Sequence, residues 1–467
     1  MLFTELRFVL FFAVVFGVHW TLRRDGARKS WLLLASWSFY AAWDARFLGL
    51  ILLSTLVDYV AALRIAAHDD PGRRRGWLLV SLLTNLGILG AFKYFDFFAD
   101  SAVQLAGWLG IDLGPVALEL VLPVGISFYT FQTLSYTLDV YRGQLQPNRS
   151  LRDVALFVAF FPQLVAGPIV RASEFLPQLQ VPRRFAAVDW RPLLGLFLVG
   201  WFKKACLADQ VAPVVDAVFA DPSAFAALDL WLGAALYAVQ IYGDFSGYSD
   251  MAIATAGMLG YALPKNFDAP YLAANVSDFW RRWHISLSSW FRDYLYVPLG
   301  GNRRSAPRTY ANLGLVFLLC GLWHGAAWPF VLWGLYHGAL LIVERLAGWS
   351  RRTSTAPPAR VVTLLAVLVG WVLFRSPDVS TALRYMQGML GLTASVGGAG
   401  GEQVANSWWW LLAAFGIGHQ LAADHRWVRR WESWLPDWLF AVAYGVAVAV
   451  LLPWAATGYQ AFIYFQF

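Results

Sequence analysis

Long apolar runs separated by short basic loops constrain this chain more than any other feature. They lie at Leu6–Leu22, Phe47–Ala67, Trp77–Phe95, Val116–Leu138, Leu193–Ala208, Leu228–Tyr242, Val361–Phe374 and Leu439–Trp454. A helix that crosses a bilayer needs ~20 predominantly apolar residues, and fewer where flanking groups snorkel. With further apolar stretches near 31–43, 151–170, 311–345 and 408–423, the pattern predicts roughly 11 to 13 membrane segments. Backbone polar groups in hydrocarbon must be satisfied internally, so the expected fold class is an all-α polytopic membrane protein. Charged residues make up only 14% of the chain, against ~25% in soluble domains, which excludes a soluble globular reading.

The charge is clustered between the runs: Arg23, Arg24, Arg28 and Lys29; Arg73, Arg74 and Arg75; Arg183, Arg184 and Arg191; Arg303, Arg304 and Arg308; Arg426, Arg429 and Arg430. By the positive-inside rule these are cytoplasmic loops. The net charge of +7 then needs no nucleic-acid partner. The first run ends in Phe16-Gly17-Val18-His19-Trp20, too bulky for a signal-peptidase site, so an uncleaved first span is expected. His19, beside Arg23 and Arg24, reads as an interfacial residue. Cys206 and Cys320 both sit in apolar segments and supply neither a disulfide framework nor a metal spacing.

Basic residues flank Val154–Val170 on both sides, which a single crossing does not allow. Pro162, Gly167 and Pro168 interrupt that stretch, and proline breaks helical hydrogen bonding. A re-entrant segment is expected, since irregular backbone at depth requires surrounding protein or a water-filled cavity. Asn312–Val343 is likewise flanked by Arg308 and Arg345, which predicts a hairpin or a re-entrant turn near Trp328-Pro329. Thr393–Gly401 and Ser350–Pro358 read as flexible loops. No internal repeat is visible, and residues 1–467 read as one membrane domain.

Two segments carry titratable imidazoles among tryptophans: Phe279–Gly301 (FWRRWHISLSSWFRDYLYVPLGG) and Gly321–Gly338 (GLWHGAAWPFVLWGLYHG). An ionisable residue within the membrane is a functional-site hypothesis by default. Trp280, Trp283, His284, Leu287 and Phe291 recur at helical spacing and predict one face of an amphipathic helix, capped by Asn275 or Ser277. Arg281 and Arg282 fall on other faces, toward headgroups or an anionic ligand. Gly300 and Gly301 beside Arg303 and Arg304 suit a phosphate, through backbone N–H groups and charge; an ordinary cytoplasmic turn fits them equally. His324 has no charged residue between Arg308 and Glu344. Desolvation disfavours a cationic imidazole, so the uncharged form is expected, able to take a proton from an attacking hydroxyl and return it to a leaving group. Gly321 and Gly325 would leave room for close substrate approach. A core histidine bonded to a backbone carbonyl is the competing account of His324, and more strongly of His337.

Asp244, Tyr248 and Asp250 (YGDFSGYSDMA) are polar residues in an apolar region. Intramembrane carboxylates pair or line a pathway, so these three are candidates for a polar tunnel and for orienting an imidazole. Gly243-Asp244-Phe245-Ser246-Gly247 is not a nucleophile elbow, because its serine is one place late. His419 and Asp424 spell an H-x4-D that stands alone. No pattern suggests a metal site or a nucleotide fingerprint.

These residues resemble the membrane-bound O-acyltransferase (MBOAT) superfamily, and within it the alginate O-acetyltransferase branch. Ser127–Gly143 (SFYTFQTLSYTLDVYRG), Phe161–Leu179 (FPQLVAGPIVRASEFLPQL), Tyr242–Gly301 with its NFDAPY and FWRRWHISLS, GLWHG, and Trp371–Leu392 carry the match, across most of residues 120–392. The resemblance implies a multi-helix membrane domain around a funnel or tunnel, and acyl transfer from a thioester to a hydroxyl. It implies that His324 is the catalytic position, and that His284 occupies a second active-site position where many eukaryotic relatives carry asparagine. It further implies acetyl-CoA or another acyl thioester as donor substrate with no tightly bound cofactor, and location in the cell inner membrane among lipid. A polysaccharide acceptor and a periplasmic or extracellular acetyltransferase partner complete that expectation. Arg281, Arg282, Gly300, Gly301 and Arg303 are candidate donor contacts. D-alanyl transfer to teichoic acid shares the Trp-His segments and stays open, as does a proton-coupled transporter using the same histidines and aspartates, although repeat symmetry would favour a transporter and none is seen.

Overall fold

The computed structural model describes residues 1, 3–349, 357–392, 407–423, 435–455 and 462. Thr393–Gly401, most of Ser350–Pro358, the basic cluster Arg426–Arg430 and Asp424 lie outside the described residues. Among the described residues every regular element is a helix, the all-α architecture that the apolar runs predict. By length and composition, four stretches among the described residues suffice to cross a membrane: Asp25–Ala67, Pro71–Trp108, Pro357–Arg375 and Asp437–Trp454. That is fewer than the expected 11 to 13 segments. The first of the four is itself two 20-residue helices, Asp25–Asp44 and Leu48–Ala67, joined by a 3-10 turn at Ala45–Phe47 that Asp44 caps.

The chain divides into two compact units, Met1–Leu193 with Ala252–Pro264, and Leu194–Met251 with Lys265–Phe467. In the first, the predicted Val116–Leu138 span does not form as one helix. Residues 111–123 are not helical, and the helix Ile126–Tyr141 begins only after Pro123 and the left-handed Gly125. A Cβ at Gly125 would lie 2.7 Å from the Leu164 carbonyl oxygen, so the chain turns there against the broken segment that follows. Ile126–Tyr141 is buried nearly all round, which explains its serines and threonines: they face protein, where hydrogen-bonding partners exist. Thr133 and Thr137 join Ser81 and Asn85 around Asp58, which accepts from both Asn85 Nδ2 at 3.0 Å and Ser81 Oγ. Hydropathy alone undercounts such helices.

The interruption expected within Val154–Val170 is present. Ser150 caps Leu151–Ala159 by accepting from Asp153 N, and the helix stops at Phe160 before the four-residue turn Phe161–Leu164. Apart from half-buried Val165, the stretch 154–170 is buried in protein, the condition under which broken backbone is tolerated at depth. His19 is fully buried, edge-on to Trp20 at 4.7 Å, rather than interfacial.

In the second unit the 32-residue helix Ala227–Met258 starts and carries Gly243-Asp244-Phe245-Ser246-Gly247 in mid-helix, so that sequence is no nucleophile elbow. The predicted hairpin also forms. Ala306–His324 and Trp328–Leu346 are 19-residue helices joined by Gly325–Ala327.

Candidate active site

His284 owes its position to a break in the backbone. Asn275 Oδ1 accepts from Asp278 N at 2.7 Å, and the Glu344 carboxylate accepts from the backbone and hydroxyl of Ser277, so the helix Val276–Arg282 is capped as predicted. It then ends. Trp283 N still donates to Phe279 O, but Ile285 N donates to Asn266 O at 2.9 Å instead of to a helical carbonyl. His284, with φ +44° and ψ +54°, is left-handed, and a second short helix, Ile285–Phe291, follows. The continuous amphipathic helix expected over Phe279–Phe291 is therefore two helices with His284 at the joint. Its aromatic face is buried in protein, with Trp283 and Phe279 each 1% exposed, rather than laid on a membrane surface.

His324 is the last residue of its helix, at the tip of the hairpin. The hairpin closes because glycines let two backbones meet. A Cβ at Gly321 would lie 2.2 Å from the Phe330 carbonyl oxygen, and one at Gly334 would lie 2.2 Å from the Phe317 carbonyl oxygen. A Cβ at Gly325 would strike the Phe330 ring at 2.1 Å. Gly321 and Gly325 thus make room for the partner helix, not for substrate; small residues at helix interfaces serve this purpose in membranes generally.

The two imidazoles meet. Their ring centroids are 6.2 Å apart with planes inclined at 55°, and both residues are buried. Phe245 stands edge-on to His284 at 4.6 Å, and Trp323 lies 5.7 Å from His284 and 4.9 Å from His324. Trp333 and Phe374 complete the wall around His324 at 4.9 and 5.2 Å. Aromatic enclosure of this kind excludes water and strengthens any electrostatic interaction made inside it. An imidazole that can take and return a proton, with a second nitrogen base beside it, suits transfer of an acyl group between two heteroatoms.

The other predicted residues fall into separate places. Asp244 pairs with Lys204 at 2.7 Å and Asp250 with Lys203 at 2.7 Å. Lys204 also meets Asp209 at 2.8 Å. Both carboxylates are thus engaged by lysines of the π-helical turn Lys203–Ala208, and Phe245, between them in sequence, packs on His284. Tyr248 packs on Phe462 at 5.0 Å. Arg282 is drawn inward, to Asp278 at 3.0 Å and to the Asp268 carbonyl. Arg281 is 66% exposed at its side chain, 3.9 Å from Asp278. It lines a cleft of about 300 Å³ with Arg292, walled by Trp280, Leu287, Phe317 and Cys320. Gly300, Gly301 and Arg303 lie outside that lining. Gly300 and Gly301 form a positive-φ turn, and Asn312 Nδ2 donates to the carbonyls of Leu299 and Gly301. His337 packs among Trp280 and Trp333 at 5.2 and 5.1 Å. His419 accepts from Tyr271 N at 3.3 Å and rests on Tyr242. Among the described residues no group of three or more His, Cys, Asp or Glu side chains is placed to hold a metal ion.

Sequence reasoning missed Lys203, Lys204 and Asn266. Two lysines inside the apolar run Leu193–Ala208 are themselves a signal, because buried ammonium groups demand partners. Asn266 carries no signal beyond its place in NFDAPY.

Residues 148–381 match the family model described as MBOAT, membrane-bound O-acyltransferase family. A protein of Azotobacter vinelandii named probable alginate O-acetylase AlgI is 42% identical over 83% of this chain and 78% of its own length. A Helicobacter pylori protein named peptidoglycan O-acetyltransferase is 40% identical over 78% of this chain and 74% of its own. A Bacillus subtilis teichoic acid D-alanyltransferase is 28% identical over 54% of this chain and 66% of its own.

Proposed function

The chain belongs to the membrane-bound O-acyltransferase family, and from that premise we propose that it moves acetyl groups from acetyl-coenzyme A, across the cell inner membrane, toward hydroxyls of an exopolysaccharide. Membership makes it an acyltransferase, which removes the transporter alternative. The observation that carries the proposal is the convergence of His284 and His324 inside one aromatic enclosure.

In this reading His324 acts as general base. It takes the proton as an acceptor oxygen attacks the thioester carbonyl carbon, the C–S bond breaks as the tetrahedral species collapses, and the proton passes to the departing sulfur. His284 orients the thioester or stabilises the charge that develops on its oxygen. Thioester transfer to oxygen is chemically downhill, so alignment and proton handling are the main demands on the enzyme. Arg281 and Arg292, which line the cleft, supply positive charge suited to coenzyme A phosphates. Arg282, Gly300, Gly301 and Arg303 remain candidate donor contacts on sequence grounds, and Asp244, Tyr248 and Asp250 candidates for a polar path.

Identity over most of the chain to proteins named for O-acetylation of alginate and peptidoglycan favours acetyl transfer over D-alanyl transfer. A periplasmic or extracellular acetyltransferase is the expected partner that completes delivery to the polymer. Purified protein in detergent should consume acetyl-coenzyme A in the presence of a polysaccharide oligomer or an acetyl-accepting partner. Transfer from a D-alanyl carrier-protein thioester, with acetyl-coenzyme A inert, would overturn the donor assignment.

A further inference from the structure

The Lys265–Pro270 stretch contains a residue that the chemistry above leaves unused. Asn266 is 1% exposed, and both its carbonyl and its side-chain amide are engaged. Its backbone carbonyl accepts from Ile285 N at 2.9 Å. Its Oδ1 accepts from Ser286 N at 3.3 Å and from Ser286 Oγ at 2.9 Å, while its Nδ2 donates to Ser249 Oγ at 3.2 Å. Two residues on, Asp268 N donates to the Arg282 carbonyl at 2.9 Å, and Arg282 Nη1 donates back to the Asp268 carbonyl. One short segment therefore grips the chain on both sides of His284.

That grip falls on a strained residue. A non-glycine residue in the left-handed region is strained and persists only where its surroundings over-determine it. With φ +44°, His284 directs its ring away from the course a continuous helix would give it. Phe267, between the two grips, rests on Trp283 and on Phe245 at 5.0 Å each, and Phe245 packs on His284. Backbone and aromatic contacts from the same segment thus fix one imidazole.

We propose that Asn266 is a positioning residue for His284: its amide and carbonyl hold the 284–286 backbone in the left-handed joint that brings the His284 ring beside His324. The proposal rests on the reading that His284 serves acyl transfer. Asn266 acts through His284 and need not touch substrate.

A double-mutant cycle tests it. Asn266→Ala should slow acetyl transfer from acetyl-coenzyme A ~10–10²-fold, the scale of a misplaced catalytic group. Asn266→Asp keeps the acceptor oxygen and should recover most of that rate. In a His284→Ala background, Asn266→Ala should add less than ~2-fold, because contacting residues in one network are not additive. Hydrogen exchange measured on the same detergent-solubilised proteins gives a readout independent of activity. Peptides covering residues 283–287 should exchange faster in Asn266→Ala, while those of the 306–324 helix should not. An equal loss of rate in both backgrounds, or unchanged exchange at 283–287, would overturn the proposal. Absence of acetyl transfer in the unsubstituted protein would defeat the acetyltransferase reading instead, and the exchange data would still decide the role of Asn266. If the alanine variant does not fold, Asn266→Ser, which shortens the side chain, takes its place in the cycle, with Asn266→Asp still the conservative control.

Discussion

His284 and His324 lie with ring centroids 6.2 Å apart although they belong to different helical segments. One approaches from a strained joint between two short helices, the other from the tip of a glycine-packed hairpin. The fold thus gathers two nitrogen bases into one aromatic enclosure.

Replacing His324 with alanine should abolish acyl transfer while the protein still inserts. Loss of a general base typically costs ~10²–10⁴-fold. The rate per molecule, measured at equal membrane abundance, checks this. Activity matching the unsubstituted protein would remove His324 from the mechanism.

His284→Ala should be strongly impaired, and His284→Asn should keep more activity. Asparagine preserves hydrogen-bonding capacity without proton transfer and tolerates the left-handed backbone better than most residues. Equal rates for both variants and the unsubstituted protein would leave His284 with a packing role alone.

Gly321→Ala and Gly334→Ala should each loosen the hairpin that holds His324. Their Cβ atoms would fall 2.2 Å from carbonyl oxygens of the facing helix, and overpacking of this kind costs ~1–3 kcal/mol. Gly314→Ala, where a Cβ meets nothing within 4 Å, is the control. Thermal unfolding in detergent should fall for the first two and hold for the third.

Lys204→Met should destabilise the protein more than Lys203→Met. Lys204 is the more buried of the two and pairs with both Asp244 and Asp209. Removing one partner of a buried ion pair costs ~3–5 kcal/mol, since the remaining charge has lost its compensation. Equal melting temperatures for the two variants would contradict this ranking.

Cysteines introduced at Asn302 and at Asp44 should label from opposite sides of intact inner-membrane vesicles. By the positive-inside rule the arginines at 303, 304, 308 and 345 are expected to put the first in the cytoplasm, whereas Asp44 caps the turn between two apolar helices. Labelling from the same side would refute outward acyl movement.

The sequence by itself determined the helical membrane class, because apolar length leaves a chain few ways to satisfy its backbone. It also determined the hairpin around Trp328 and the break near Pro162, and it singled out the two histidines as candidates, since proline, flanking arginines and an imidazole in hydrocarbon each carry a local physical cost. Tertiary structure decided the rest. Gly321 and Gly325 meet the backbone and ring of Phe330, a contact that no local rule predicts, and the carboxylates of Asp244 and Asp250 pair with lysines of a preceding helical segment. The periodicity over Phe279–Phe291 predicted one helix. A backbone carbonyl from Asn266, distant in sequence, captures the Ile285 N–H and divides it in two. Hydrophobic spacing reports which faces are buried, but the left-handed turn at His284 depends on hydrogen bonds that exist only once the chain has folded.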